Sequence, residues 1–137
     1  MKKNISVLLF LFACAITSAQ YSTGVRVEPI LKTDTTSIGQ HIVYPNFANS
    51  EVTIARVTIP PGNSTGWHKH SFPVFAYVLK GCLTVEVENK KNMQFTQNTA
   101  FAEVLNTYHN GTNQGKDTLV LIAIFMGEKG KGLSDHK

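Results

Sequence analysis

Cysteine is nearly absent from this chain of 137 residues, which carries only Cys14 and Cys82. No disulfide framework can be built from such a pair, and at this length a single domain buries a core without one. Clustered basic charge is also missing. Lysine and arginine number 13 against nine acids, but after the first few residues only Lys90 and Lys91 are adjacent, so the electrostatic footprint of a nucleic-acid binder is lacking and nucleic acid is excluded as a partner. Internal repeats are absent, as is any segment with the pattern of a long helix.

One long apolar run is present, and it lies at the start. Met1-Lys2-Lys3-Asn4 is basic, Ile5 to Ile16 is almost unbroken apolar sequence, and Thr17-Ser18-Ala19 supplies small residues before Gln20. This is the pattern of a cleaved signal peptide over residues 1–19, predicting an exported protein, periplasmic or extracellular. The run is shorter than the roughly 20 residues that span a bilayer, so no stable membrane insertion is expected. Leu11-Phe12-Ala13-Cys14 offers a lipoprotein anchored through Cys14 as the alternative, although bulky Phe12 and the apolar residues that follow fit it poorly. Cleavage after Ala19 removes two lysines, lowers the net charge from +4 to +2 and leaves Cys82 as the one thiol. Its apolar strand context predicts a buried, inert group.

Beyond Gln40 the chain breaks into short runs rich in Val, Ile, Thr, Phe and Tyr: His41 to Tyr44, Val52 to Ile59, Val74 to Leu79, Leu83 to Val87, Met93 to Phe95, Thr99 to Leu105 and Thr118 to Phe125. Turn-forming stretches separate them, among them Pro60-Pro61-Gly62-Asn63, Lys80-Gly81 and Asn110-Gly111-Thr112-Asn113. The spacing predicts an all-β domain, an antiparallel sandwich or jelly-roll barrel, over residues 41–126. Residues 20–40 read as an N-terminal arm and 127–137 as a flexible C-terminal tail.

Within Gly66-Trp67-His68-Lys69-His70 the histidines stand two apart in an extended segment. Alternation puts His68 and His70 on one face, where two imidazoles can chelate one cation. Around them Gly62 lies six residues before His68, Gly81 follows the Val74 to Leu79 run, and His109 and Asn113 stand further on. This pattern resembles the cupin superfamily, whose two motifs read Gly-x5-His-x-His-x3-Glu-x6-Gly and Gly-x5-Pro-x-Gly-x2-His-x3-Asn. Gly62, His68, His70 and Gly81 fall in register with the first motif, His109 and Asn113 with the second. Val74 stands where the motif glutamate belongs, and Asn98, Val104 and Asn106 replace glycine, proline and glycine.

The resemblance implies a single-domain cupin jelly-roll barrel with His68, His70 and His109 as ligands of a divalent metal ion: zinc, iron, manganese or nickel. The carboxylate is missing from its usual place. Either three imidazoles act alone, as in hydrolytic zinc sites, or another acid completes the set, as suits oxygen chemistry. Glu103 is the candidate for ligand or catalytic acid/base, being the one acid embedded in an apolar strand, whereas Glu86 and Glu88 are expected to be solvated. Small Val74 and Ala76 facing inward would leave room for a small-molecule ligand, with Tyr108 beside His109 as a hydrogen-bond donor to it. Asn113 reads as a structural turn residue. A homodimer through an outer sheet face is the expected assembly. Two functions remain open: a metal-dependent oxygenase, isomerase or lyase, and a module that binds a small ligand or metal without turnover.

Overall fold

Alternation of buried and exposed side chains runs through every long strand and divides the chain into two facing sheets. The computed structural model describes residues 23–137, so the expected signal peptide and Cys14 lie outside the described residues. The strands are β1 (Ser50–Ile59), β2 (His68–Lys69), β3 (Val74–Lys80), β4 (Cys82–Val87), β5 (Met93–Thr96), β6 (Ala100–Ala102), β7 (His109–Thr112), β8 (Leu119–Glu128) and β9 (Asp135–His136), with no helix among the described residues. One sheet has the order β1-β8-β3-β6 and the other β5-β4-β7-β2-β9, all neighbours antiparallel. The expected all-β architecture is therefore present.

β8 organises the first sheet. It pairs with β1 over ten residues, from Ser50 opposite Glu128 to Ile59 opposite Leu119, and with β3 on its other side. Leu119, Leu121, Ala123 and Phe125 point inward from it, matched by Val74, Ala76 and Val78 of β3. Leu83, Val85 and Val87 of β4 meet Ala76, Val78, Leu119 and Leu121 from the second sheet, while Val74, Ala123 and Phe125 join Phe72 in a second cluster, with Val57 packed against both. A fully buried Leu or Val contributes about 1.5–3 kcal/mol, so this interior carries most of the fold's stability.

The hinge between β3 and β4 is Gly81, at φ +89°, where an added Cβ would lie 3.3 Å from the Leu119 backbone. Asn98 and Asn106, which replace motif glycines, hold the left-handed backbone themselves, at φ 66° and 50°. Asparagine is among the few other residues that tolerate this region, so the turn geometry outlasts the change of residue.

Several local expectations need correction. His41 to Tyr44 is not a strand: His41 makes a lone bridge to Thr35, and Val43 and Tyr44 are exposed. The expected strand Thr99 to Leu105 is regular only over Ala100–Ala102, because Leu105 N–H turns to the side-chain oxygen of Gln40 (2.9 Å). Asn110 to Thr112, read as a turn, forms most of β7. There Gly111 sits so close to Leu83 that a Cβ would lie 3.2 Å from its methyl carbon. Glu86 is not simply solvated but accepts a hydrogen bond from Asn110 Nδ2 at 2.8 Å. Cys82 is half-buried rather than fully enclosed. Residues 127–137 are not a free tail: β8 extends to Glu128, and Asp135 and His136 return to pair with β2.

Candidate metal centre

The two-residue strand β2 places His68 at the open end of the interior, His70 follows just past it at a lone bridge to Leu105, and β7 brings His109 directly opposite His68. Their ring centroids lie 4.4 to 5.2 Å apart. Each ring is fixed from behind by a backbone carbonyl at Nδ1: Gly66 for His68 (2.8 Å), Leu133 for His70 (2.8 Å) and Thr107 for His109 (3.0 Å). A carbonyl can only accept, so Nδ1 carries the proton in all three rings and Nε2 is the nitrogen left to face the centre.

The fourth group is Glu103. Its Oε2 lies 3.0 Å from His70 Nε2 and 3.2 Å from His109 Nε2. One ligand atom from each of His68, His70, Glu103 and His109 can be chosen so that all four lie within 4.8 Å of one another. The position of Glu103 explains the missing motif glutamate. Its backbone N–H donates to the carbonyl of Val74 at 2.9 Å, directly across from the site where the family's carboxylate stands. Glu103 thus stands across the strand pair from the position at which the motif carries its carboxylate.

Electrostatics bind the four together. Burial alone would raise the carboxyl of Glu103, but hydrogen bonds from His109 and His70 and their positive charge outweigh it and hold the group at about 2. Burial acts to lower His109, yet the Glu103 carboxylate and the Thr107 carbonyl raise it above its ordinary value. His68 is lowered, chiefly by burial and further by the charges of His109 and His70, against the opposing pull of the Gly66 carbonyl and the Glu103 carboxylate. Nε2 of His70 and Nε2 of His109 thus both face the Glu103 carboxylate, where one divalent cation could meet all of these groups. The donor set of three imidazoles and one carboxylate suits zinc, iron, manganese or nickel.

A family model described as the cupin domain matches residues 55–125, just over half of the chain. The chain belongs to the cupin family. Solved structures agree on the fold. A cupin-like protein from Thermotoga maritima aligns with a TM-score of 0.55 at 21% identity, over 63% of this chain and 64% of that one. The DMSP lyase DddQ from Ruegeria pomeroyi gives 0.55 at 12%, over 63% and 43%. The oxalate decarboxylase of Lactobacillus farciminis, solved as a formate complex, gives 0.51 at 22%, over 59% and 25%. This cupin spans less than two thirds of the length of each. No curated protein matches the chain.

Other expected site residues lie elsewhere. Val74 and Ala76 are each 2% exposed and packed into the apolar interior, Val74 with Ala123 and Phe125, so they fill space rather than leave it. Tyr108 points away from the centre, its ring beneath the ammonium groups of Lys69 (5.1 Å) and Lys137 (5.3 Å). Asn113 is structural as expected, donating to the carbonyls of Ile59 and Asp117 and accepting from Gly115 N–H. Two contributors escaped the sequence reading: the Leu133 carbonyl that fixes His70, and His136, whose ring centroid lies 5.9 Å from that of His68. His136 matches no motif, and only its proximity in the fold identifies it.

Proposed function

We propose that this cupin binds one divalent metal ion through His68, His70, Glu103 and His109 and presents it to a small organic molecule as a metal-dependent lyase, isomerase or oxygenase. The observation that carries this reading is the convergence of three imidazoles, each locked at Nδ1 by a main-chain carbonyl, with one buried carboxylate on a single point. Bound there, the ion supplies Lewis acidity toward a ligand oxygen. The chain's own part is to orient the rings, to keep Nε2 free, and to shelter the site beneath apolar groups such as Phe125, which meets His70 edge-on at 5.6 Å. The lyase and decarboxylase named among the similar structures accord with this chemistry.

A second reading, capture of a small ligand without turnover, is favoured by one feature. Once Glu103 is a ligand, no other carboxylate among the described residues borders the cavity beside the centre to act as a general base. Elemental analysis of the purified protein beside a His68→Ala/His109→Ala variant tests the site. Near-stoichiometric metal that disappears in the variant supports it, and zinc rather than iron directs the search for activity away from oxygen chemistry. Absence of metal after incubation with zinc, iron, manganese and nickel salts overturns the metal-dependent reading and leaves capture of a small ligand in the barrel.

Export of the mature chain rests on the pattern of residues 1–19, with lipidation at Cys14 as the alternative. Among the described residues no helix is long and apolar enough to cross a membrane. A homodimer through the outer face of the four-stranded sheet is supported by Val52 and Ile54, 53% and 67% exposed, beside half-buried Phe75, Tyr77, Ile122 and Ile124.

A further inference from the structure

After β8 the chain turns at Gly130 and runs back across the mouth of the metal centre as a strap. Its end is fastened on the outside. Lys137 N–H donates to the Trp67 carbonyl at 3.0 Å, and Lys137 Nζ donates to Glu88 at 2.7 Å while lying over the rings of Tyr108 and Trp67. β9 adds the ladder between His136 and His68 and between Asp135 and Lys69. Tyr108, expected to touch ligand, instead helps to clamp this segment.

The inner side of the strap borders a cavity of about 260 Å³. Its floor is the centre itself, through His68, His70 and Glu103, and its apolar wall includes Leu121, Ala123 and Phe125. The strap contributes Ser134 and His136, whose Oγ and Nε2 lie 3.3 Å apart. At roughly 30 Å³ per water such a space holds about nine waters, below the range of drug-sized pockets, so it suits a molecule of only a few carbons. The polar side chains are the centre on the floor, Thr65, whose hydroxyl already donates to the Gly66 carbonyl and accepts from Gly111 N–H, and the hydroxyl–imidazole pair on the strap. Between them the lining is apolar. A ligand with oxygen at one end only would leave that pair with no ligand partner, bonded only to each other.

Building on the metal-binding reading above, we propose that Ser134 and His136 determine specificity by binding the second oxygen-bearing end of a short bifunctional organic acid, whose first end lies at the His68, His70, His109 and Glu103 centre. Neither residue belongs to the metal-holding set, and replacing their side chains leaves the Leu133 carbonyl on His70 and the main-chain ladder of β9 in place.

The test is calorimetric titration of the zinc-loaded protein with two matched pairs, succinate against butyrate and malonate against propionate, repeated on Ser134→Ala/His136→Ala. The wild type binds at least one diacid about tenfold or more tighter than its monoacid, the difference made by hydrogen bonds to a charged group. The variant loses that preference while zinc stoichiometry and monoacid affinity stay unchanged. A preference that survives in the variant overturns the proposal, as does a wild type that takes up zinc but prefers neither diacid. Zinc uptake is titrated separately, so its failure in the wild type identifies the metal reading as the part that is wrong.

Discussion

Glu103→Gln keeps the volume and shape of the side chain and removes its charge, so it isolates what the carboxylate does among the histidines. In the metal-free protein the folded carboxyl sits at about 2 against an ordinary 4.5. A folded value below the unfolded one gives stability that is fully present above about pH 4.5 and disappears as the pH falls toward 2. His109 is raised above 6.5, so its contribution is present below that pH and disappears as the pH rises through its folded value. The two overlap between about pH 4.5 and 6.5, where the cluster contributes most. At 1.36 kcal/mol per pKa unit, the carboxyl contributes up to about 3 kcal/mol. Glu103→Gln therefore lowers the melting temperature at pH 5.5 by on the order of 10 °C, and the loss shrinks as the pH rises through the folded value of His109. Circular-dichroism melts in chelator from pH 5.5 upward measure this. A loss that does not change with pH would assign the effect to packing rather than charge, and no loss at any pH would refute the pairing.

Moving the carboxylate tests whether the site tolerates either strand. Glu103→Val costs zinc affinity at least about a hundredfold, and adding Val74→Glu recovers it to within roughly tenfold, measured by chelator competition; no recovery would mean that the two positions do not aim at one point. Asn113→Ala deletes three hydrogen bonds from a residue only 1% exposed and destabilises by about 2–4 kcal/mol in urea, with zinc stoichiometry per folded molecule unchanged. A loss under about 0.5 kcal/mol would refute its role as a turn anchor.

What the sequence disclosed and what it hid divide along a physical line. Strand-forming runs bounded by turn residues, Val52 to Ile59 and Thr118 to Phe125, became β1 and β8 because their β-branched and apolar content marks a strand whatever its partner. His68 and His70 were legible as two imidazoles on one strand face, and His109 through the resemblance to the cupin motifs; the pairing of β2 with β7 then sets it opposite His68. Glu103 was legible only as an acid in apolar company. Parity could not aim it, since both faces of its run are apolar, and only the register that sets it opposite Val74 does so. The reading of Val74 and Ala76 as space for a ligand failed because it weighed side-chain size without the neighbours. Leu121, Ala123 and Phe125 arrive from a strand more than 40 residues away and close the gap.

The C-terminal strap was hidden for a different reason. The contacts that seat it are largely main-chain: the Leu133 carbonyl on His70, the Lys137 N–H on Trp67, and the ladder from His136 to His68. Backbone groups are the same at every position, so such contacts impose little demand on residue type and leave no pattern to read. The glycines at 130 and 132 suggest looseness, yet the segment between Leu133 and Lys137 is held at both ends. The metal centre accordingly has two kinds of construction. Its ligands are side chains that spacing announces, whereas one of the groups that aims them is a peptide carbonyl in a segment whose composition announces nothing. A variant that cuts the strap before Leu133 would leave all four metal-ligating side chains intact and still deprive His70 of the acceptor that fixes its tautomer. Loss of zinc affinity on such a cut belongs to the backbone, not to any ligand.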